Sequence, residues 1–283
     1  MENAILLISC PDRKGITASI ANFIYKNNGN IEHADQHIDK ETHTFFMRVE
    51  WALKGFKIPK DKIYSKFMPL IRKYSMKCQL HFTNYVPNMA VFVSQYTHCL
   101  YDLLIRTKEG QLNCNIPIII SNHSSARKIA KDFSVDFFET PIQKDNRLTQ
   151  EKKQLSLLKK YNIDFIALAR YMRILSPAFI KSFRNKIINI HHSFLPAFAG
   201  SSPYKKAYKK GVKIIGATSH YVTEKLDQGP IIEQDTIRIN HRDSLDDIIT
   251  KGQDLERTVL SRAVKWHIER KILVYNNKTV IFD

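Results

Sequence analysis

The segment "MAVFVS", residues 89–94, opens a series of short and continuously apolar runs that decide the fold. It is followed by "IPIIIS" (116–121), "IDFIALA" (163–169) and "KIINI" (186–190), and a stretch of helical character separates each run from the next. Strands that lack a polar face are buried on both sides, as in a parallel sheet covered by helices. The pattern predicts an α/β domain with a doubly wound, mainly parallel sheet.

The chain before residue 85 predicts a smaller domain. "AILLIS" (4–9) has the composition of a buried strand, and "ITASIANFIYKNNG" (16–29) carries apolar residues at helical spacing. The segment 30–51 contains two strand-like stretches around the polar turn "DKETH", and an amphipathic helix (60–75) and a strand (77–84) follow. The predicted order βαββαβ is typical of a ferredoxin-like antiparallel sheet with two helices on one face.

"YVPN", residues 85–88, marks the boundary, so we expect domains at 1–85 and 86–283. In the second domain, the segments 213–223 and 230–240 are two nearly adjacent strands, which predicts an antiparallel addition to the sheet. A long helix from about Ser244 to Arg270 is expected next. The closing segment "KILVYNNKTVIF" predicts a hairpin around "NN".

Composition limits the classes of function. The chain has 44 Lys and Arg against 27 Asp and Glu, a net charge of +17, but the lysines are spread over its whole length. Solvated helix faces explain this better than nucleic-acid binding, with attraction of a small polyanionic substrate between the two. No apolar run reaches the roughly 18 residues of a membrane span. Four scattered Cys and an acidic N-terminus without a signal pattern predict a soluble, cytoplasmic protein without disulfides.

Polar side chains follow the apolar run at 186–190. Alternate residues of a strand share a face, so Asn189 and His191 are expected on one side and His192 on the other. They lie at the carboxyl end of a parallel strand, where open α/β sheets bind ligands. His192 is expected to have a structural role.

A second polar cluster is "SHYVTEKLDQGP", residues 219–230, which brings Ser219, His220 and Asp227 into one loop. Gly229, followed by a proline, predicts a tight turn whose backbone lies close to another group. Asp227 is the carboxylate that we expect to complete a set with Asn189 and His191.

Asn, His and Asp together suit acyl chemistry, because an amide can donate to an oxyanion, an imidazole can transfer protons and a carboxylate can orient the imidazole. No serine or cysteine lies in a nucleophile elbow, which favours direct attack by an outside nucleophile. A metal site made of His191, His192, His220 and Asp227 has the right ligand types, but metal-motif spacing is missing, so no metal is expected.

At these residues the chain resembles the formyltransferase fold family, which includes glycinamide ribonucleotide formyltransferase. The resemblance is carried by "NIHHSFLPAF", "YMRILSP" and "GATSHYVTEKLDQGPIIEQ". The N-terminal "CPDRKGITASIANFIYKNNGNIEHADQH" and "FFMRVEW" are similar to the ACT domain attached to one branch of that family, the formyltetrahydrofolate deformylases. The resemblance covers nearly the whole chain.

The resemblance implies that Asn189, His191 and Asp227 are the catalytic residues. It also implies that the pterin ring of a folate lies against the segment 172–175 and the loop 222–227. The implied folate-binding residues are Met172, Arg173, Ile174, Leu175, His220, Val222, Thr223 and Gly229.

One difference from the family pattern helps to decide between hydrolysis and formyl transfer. In the ribonucleotide-using relatives, a loop rich in Gly and Ser cradles the substrate phosphate. Here the corresponding "VSQYTHCLYDLL" (93–104) has no glycine, and Tyr96, His98 and Cys99 fill the space. The prediction is hydrolysis of 10-formyltetrahydrofolate, the substrate, to tetrahydrofolate and formate without a cofactor. A formyltransferase with another amine acceptor and a non-catalytic sensor remain alternatives.

The resemblance further implies that the N-terminal domain binds a small amino acid such as glycine or methionine at an interface between subunits of a homo-oligomer. Gly15 and Asn30 are the expected effector positions. A role in assembly alone is the alternative. A second departure, "AGSSPYKKAY" at 199–208, has Ser202 where a larger or basic residue is expected at the edge of the substrate site.

Overall fold

The computed structural model describes residues 2–143, 146–196 and 203–282. Contacts divide the chain into two compact units. The first unit runs to Val86 and includes Glu269–Tyr275 and the residues from Val280 on, while the second comprises Pro87–Ile268 and Asn276–Thr279. Within the described ranges, no helix is both long enough and apolar enough to cross a bilayer.

The first unit contains, in chain order, β1 (Asn3–Pro11), α1 (Ile16–Lys26), β2 (Ile31–Asp39), β3 (Thr44–Ala52), α2 (Ile63–Tyr74) and β4 (Lys77–Phe82). Its sheet is antiparallel, with the order β2-β3-β1-β4. Leu6 and Ile8 of β1 pack in one apolar cluster with Ile20 of α1 and Phe67 of α2. Since alternate strand residues share a face, both helices cover the same side of the sheet. The predicted βαββαβ fold is confirmed.

The second unit contains β5 (Asn88–Val93), α3 (His98–Lys108), β6 (Asn115–Ser121), α4 (Arg127–Asp132), β7 (Asp136–Glu139), α5 (Arg147–Lys160), β8 (Phe165–Ala169), α6 (Pro177–Ser182), β9 (Ile187–His191), α7 (Pro203–Lys210), β10 (Ile214–Tyr221), β11 (Ile231–Arg238) and α8 (Leu245–Ile268). The sheet order is β11-β10-β9-β8-β5-β6-β7. Strands β5 to β9 pair in parallel, and β10 and β11 add antiparallel strands. The doubly wound prediction is confirmed.

The chain closes with a hairpin of β12 (Ile272–Tyr275) and β13 (Lys278–Ile281). Most of this hairpin belongs to the first unit, whereas the expected domains 1–85 and 86–283 place it in the second. Leu273 and Phe282 pack against Leu7 and Phe46, on the face of the first sheet that the two helices leave open. Burial of this second apolar face places most of the hairpin in the first unit.

The order of the second sheet positions the site. Strand β5 pairs with β6 on one side and with β8 on the other, which makes its carboxyl edge a topological switch point. The residues that follow β5 and β8 and the end of β9 therefore meet at one edge of the sheet, where open α/β sheets bind their ligands.

Candidate active site

Asn189, His191, His220 and Asp227 converge at the carboxyl end of β9. His191 Nδ1 lies 3.3 Å from Asp227 Oδ2, and His220 Nε2 lies 3.7 Å from Asp227 Oδ1. Antiparallel pairing puts His220 of β10 directly opposite Asn189 of β9, and the Asn189 Nδ2 atom is 3.2 Å from His220 Nε2. The structure thus brings together the three residues that the sequence analysis assigned to catalysis.

Hydrogen bonds orient the imidazole of His220. Its Nδ1 lies 3.0 Å from the Tyr221 carbonyl oxygen, which can only accept, so Nδ1 carries the proton. The other nitrogen, Nε2, lies 3.2 Å from the Asn189 amide nitrogen and can accept from that amide in the Nδ1–H tautomer. This bond orients the Asn189 amide and leaves it a second N–H.

The two ring nitrogens of His191 have different surroundings, and Nδ1 is the one that faces Asp227. Its side chain is buried, and Nε2 has no hydrogen-bond partner among the described residues. Burial lowers the pKa of His191, and the charge of Asp227 only partly opposes this effect. A neutral ring whose Nδ1–H points at Asp227 presents the lone pair of Nε2 as a base.

Asp227 is held as a carboxylate. His220 and then His191 keep the pKa of Asp227 below its usual range, although burial works in the opposite direction. The backbone of Asp227 has φ +54°, a left-handed conformation that Asp tolerates better than most residues. The loop thus turns this carboxylate toward the two imidazoles.

Gly229 permits the loop to close. A Cβ at this position would lie 1.7 Å from the Tyr221 carbonyl oxygen, so only glycine fits. The neighbouring Pro230 carbonyl accepts the Tyr221 N–H at 2.9 Å. The prediction of a closely approached turn is confirmed, and the turn supports the loop that carries Asp227.

A cavity of about 700 Å³ opens at these residues. Met172 N donates to Ser94 Oγ at 2.9 Å, which ties the segment after β8 to the end of β5. The cavity is lined by seven of the eight residues predicted to bind folate: Met172, Arg173, Ile174, Leu175, His220, Val222 and Thr223. Gly229, the eighth, supports the loop and does not line the cavity.

The expectation that His192 faces away from Asn189 and His191 is wrong. His192 also lines the cavity, and its ring centroid is 5.2 Å from that of His191. The reason is that β9 ends at His191, so strand alternation no longer governs the next residue. Burial lowers the pKa of His192 to about 3.

The sequence analysis missed a buried polar cluster around Glu256 of α8. Its Oε2 lies 2.9 Å from His98 Nε2 and 3.4 Å from Arg170 Nε, and its Oε1 accepts from the Tyr204 hydroxyl. Burial disfavours the Glu256 carboxylate, but His98 and then Arg170 hold its pKa below the usual range. All four residues line the cavity.

Two sequence signals could have found this cluster. Glu256 occupies the buried stripe of α8 between Gly252 and Leu260, where an acidic residue needs a partner. Arg170 directly follows β8 at its carboxyl end, a position equivalent to the end of β9 that drew attention to His191.

His98, Cys99 and Glu256 offer three possible metal-ligand atoms within 4.8 Å of one another. However, burial and the charge of Glu256 raise the pKa of the Cys99 thiol well above its ordinary value. Glu256 also already accepts from His98 and Tyr204. The donor set is therefore better described as a hydrogen-bonded cluster than as a metal centre.

Gly15 and Asn30, the expected effector positions, are not brought together within one chain. Gly15 caps α1 with φ +88°, just beyond the end of β1, whereas the Asn30 carbonyl accepts from Ala52 N beside the start of β1. A nine-residue strand separates them, roughly 30 Å of extended chain. Ser202, the other position singled out, lies outside the described residues.

Comparisons with known proteins agree with this architecture. A family model described as formyl transferase matches residues 87–264, and the ACT domain model matches residues 4–54. A formyltetrahydrofolate deformylase of Synechocystis sp. is 53% identical over 279 residues, covering 99% of this chain and 98% of the relative. One of Bacillus subtilis is 45% identical, with coverages of 98% and 93%.

A solved structure of a protein with the same name is also similar to this chain. The crystal structure of a formyltetrahydrofolate deformylase from Pseudomonas syringae pv. tomato superposes with a TM-score of 0.97 at 39% identity. The match covers 100% of this chain and 95% of that one. Similarity therefore extends over both units of the chain.

Proposed function

The chain belongs to the formyl transferase family, within its branch of formyltetrahydrofolate deformylases, and we propose that it hydrolyses 10-formyltetrahydrofolate to tetrahydrofolate and formate. The observation that carries the proposal is His191. Its Nδ1 is held by Asp227, its Nε2 has no hydrogen-bond partner within the described part of the chain, and its ring lines the cavity. This is the arrangement that a general base for a water molecule requires.

In the proposed reaction, Nε2 of His191 takes a proton as the water oxygen attacks the formyl carbon. Asp227 stabilises the resulting imidazolium. Nε2 then gives that proton to N10 as the carbon–nitrogen bond breaks, and the released formic acid loses its own proton to solvent. The same imidazole thus serves as base and then as acid, which suits a side chain whose ordinary pKa is near neutrality.

Asn189 is proposed to stabilise the oxyanion. One N–H of its amide is held by His220 Nε2, which leaves the second N–H for the oxygen that becomes negative during attack. An oriented donor of this kind lowers a barrier by about 3 kcal/mol. His220 is therefore proposed to position Asn189, in addition to lining the folate site.

The folate is proposed to occupy the side of the cavity formed by the segment 172–175 and by Val222 and Thr223. Backbone groups there can pair with the edge of a pterin ring, and apolar side chains such as Ile174 can cover its faces. Gly229 holds the loop without contacting the ligand. The general positive charge of the chain would favour a polyanionic folate tail.

Water is the proposed acceptor because bulky side chains line the opposite side of the cavity. Tyr96 and His98 line it where, by the resemblance, relatives that use a ribonucleotide have a phosphate loop rich in Gly and Ser. These side chains take the place of the glycine-rich backbone that would donate N–H groups to a substrate phosphate. This argues against formyl transfer to a ribonucleotide, and the test without any added amine addresses transfer to other amines.

We also propose the wider setting. The enzyme would act in the cytoplasm as a homo-oligomer, supply formate for purine synthesis and balance the one-carbon folate pool, without a metal or other cofactor. The ACT domain would bind glycine or methionine between subunits. Since Gly15 and Asn30 lie at opposite ends of one sheet, a shared effector site would combine Gly15 of one subunit with Asn30 of another.

The test is to incubate the purified protein with 10-formyltetrahydrofolate alone and to measure formate and tetrahydrofolate. Equal amounts of both products are expected, and His191→Gln should release neither. A second series adds glycinamide ribonucleotide. Formate that appears only with the amine present, or a formylated amine in its place, would contradict the proposal.

A further inference from the structure

Arg170 carries a buried positive charge, and the described residues do not supply acceptors for all of its hydrogen-bond donors. It follows β8, is only 8% exposed and lines the cavity. Its Nε and Nη1 atoms are buried and have no hydrogen-bond partner among the described residues. Arginine stays protonated at physiological pH, so these donors need an acceptor.

Glu256 does not supply that acceptor. Its Oε2 atom receives a hydrogen bond at 2.9 Å from His98, and its Oε1 atom receives one from Tyr204. The Arg170 Nε atom is 3.4 Å from Oε2, close enough for attraction, but the contact lacks hydrogen-bond geometry. The carboxylate thus balances charge in the cluster and leaves guanidinium donors for another group.

The surroundings of Arg170 favour a small and planar anion. The ring of Tyr96 lies 5.2 Å from the guanidinium carbon and covers one face of the group. The edge of the guanidinium carries its N–H donors, whose spacing matches the two oxygens of a carboxylate. The backbone of Arg170 has φ +63°, a left-handed conformation that is uncommon for residues other than glycine.

A continuous set of contacts leads from Arg170 to the proposed base. Arg170 adjoins Glu256, which binds Tyr204, and the Tyr204 ring is 6.0 Å from that of His192. His192 in turn adjoins His191. The charge of Arg170 also contributes to the lowered pKa values of both histidines. Arg170 therefore lines the acceptor side of the cavity and is linked through packed side chains to the proposed base.

We propose that Arg170 forms a binding subsite for formate, the planar monocarboxylate that the reaction releases. The inference rests on the proposed function and assigns the fate of one product. Because Nε faces Glu256, formate accepts from the Nη1 end of the guanidinium, and Tyr96 covers the guanidinium face. The subsite removes the new carboxylate from His191 and so leaves the imidazole free for the next water molecule.

Product inhibition tests the subsite. Initial rates are measured with increasing sodium formate or sodium nitrate, a planar monoanion of similar size, at constant ionic strength set with chloride. Both planar anions should inhibit the wild-type enzyme. Arg170→Gln should weaken this inhibition by about tenfold or more, because it removes charged hydrogen bonds. Arg170→Lys should give an intermediate loss, and Arg262→Gln, a charge removal outside the cavity, should leave inhibition unchanged.

Two results would overturn the subsite. One is formate inhibition of Arg170→Gln equal to that of the wild type. The other is a raised KM for 10-formyltetrahydrofolate with unchanged formate inhibition, which would mean that Arg170 holds a carboxylate of the folate tail instead.

Line broadening of ¹³C-formate by the full-length protein measures binding without turnover. It therefore separates failure of the subsite from failure of the proposed hydrolysis. Broadening by the wild type that persists in Arg170→Gln contradicts the subsite, and so does the absence of broadening by the wild type. A wild type that broadens the signal but releases no formate from the folate contradicts the hydrolysis alone.

Discussion

Asp227 Oδ2 lies 3.3 Å from His191 Nδ1, although the two residues belong to different elements of the second unit. His191 ends a parallel strand, and Asp227 lies in the loop between two antiparallel strands. Their contact fixes which nitrogen of His191 carries a proton, and this choice determines whether the buried Nε2 can act as a base.

Asp227→Asn tests that relationship. An asparagine can turn its amide N–H toward Nδ1 and so favour the wrong tautomer of His191, while the shape of the site is kept. We expect kcat to fall by about 10³-fold or more, with the Kd for folate nearly unchanged. Steady-state rates and equilibrium binding measure the two quantities.

Asp235→Asn on β11 is the matched control, because Asp235 pairs with Arg262 outside the cavity and should keep full activity. Substantial turnover by Asp227→Asn would remove Asp227 from the mechanism.

The pH dependence of kcat/KM should reflect the lowered pKa of His191. The base must be neutral to accept a proton, and burial shifts its pKa below the ordinary 6.5. Activity should therefore hold as the pH falls to 6.5 and should decline only at lower pH. A rate profile across this range measures the midpoint, and a midpoint above 6.5 would contradict a buried and neutral His191.

That Asn189 and His191 lie together could be predicted because two simple rules converge on them, whereas Asp227 was taken from the polar loop at 219–230 and from the family resemblance. Strand alternation places Asn189 and His191 on one face, and parallel strands gather their carboxyl ends at one edge. Arg170 and Glu256 could not be paired in this way, since they are far apart in sequence and only the packing of α8 brings them together. His192 was misjudged because the end of β9 could not be fixed to one residue.

For the fold too, features with a local sequence pattern could be predicted and contacts between distant segments could not. The long apolar runs predicted the buried strands, but β7 was not predicted, because its four half-buried or exposed residues lack a continuous apolar pattern. The closing hairpin was predicted, whereas its packing on Leu7 and Phe46 was not. That contact depends on an apolar sheet face whose partner lies at the other end of the chain.

Gly229→Ala should damage both stability and catalysis. The new Cβ would lie 1.7 Å from the Tyr221 carbonyl oxygen, so the backbone of the loop must move and displace Asp227. We expect a loss of about 2 kcal/mol in the free energy of unfolding and of about 10²-fold in kcat. Urea unfolding and steady-state kinetics measure these effects.

Gln228→Ala, which changes the adjacent residue without adding a Cβ, is the control for Gly229→Ala and should have little effect. Equal behaviour of the two variants would show that the close approach at Gly229 is unimportant.

His81 predicts a loss of stability in acid that is independent of catalysis. Burial, and then the charge of Arg270, lowers its pKa to about 4 from 6.5. Above pH 6.5 the ring is neutral in both the folded and the unfolded chain. Between pH 6.5 and 4 mainly the unfolded chain binds the proton. The free energy of unfolding therefore decreases as the pH is lowered through this range.

His81→Gln should reduce this decline, and His37→Gln, at an exposed position of β2, should not. Urea unfolding above pH 6.5 and between pH 6.5 and 4 measures it. An unchanged decline in His81→Gln would assign the effect to other groups.

Hydrolysis in water enriched with ¹⁸O tests most directly whether water attacks the formyl carbon. The protein is incubated with 10-formyltetrahydrofolate in this solvent, and the released formate is examined by mass spectrometry. A single ¹⁸O atom in each formate, formed without any added amine, is the predicted result. Formate that carries no solvent oxygen, or no formate until an amine is supplied, would contradict the proposed function.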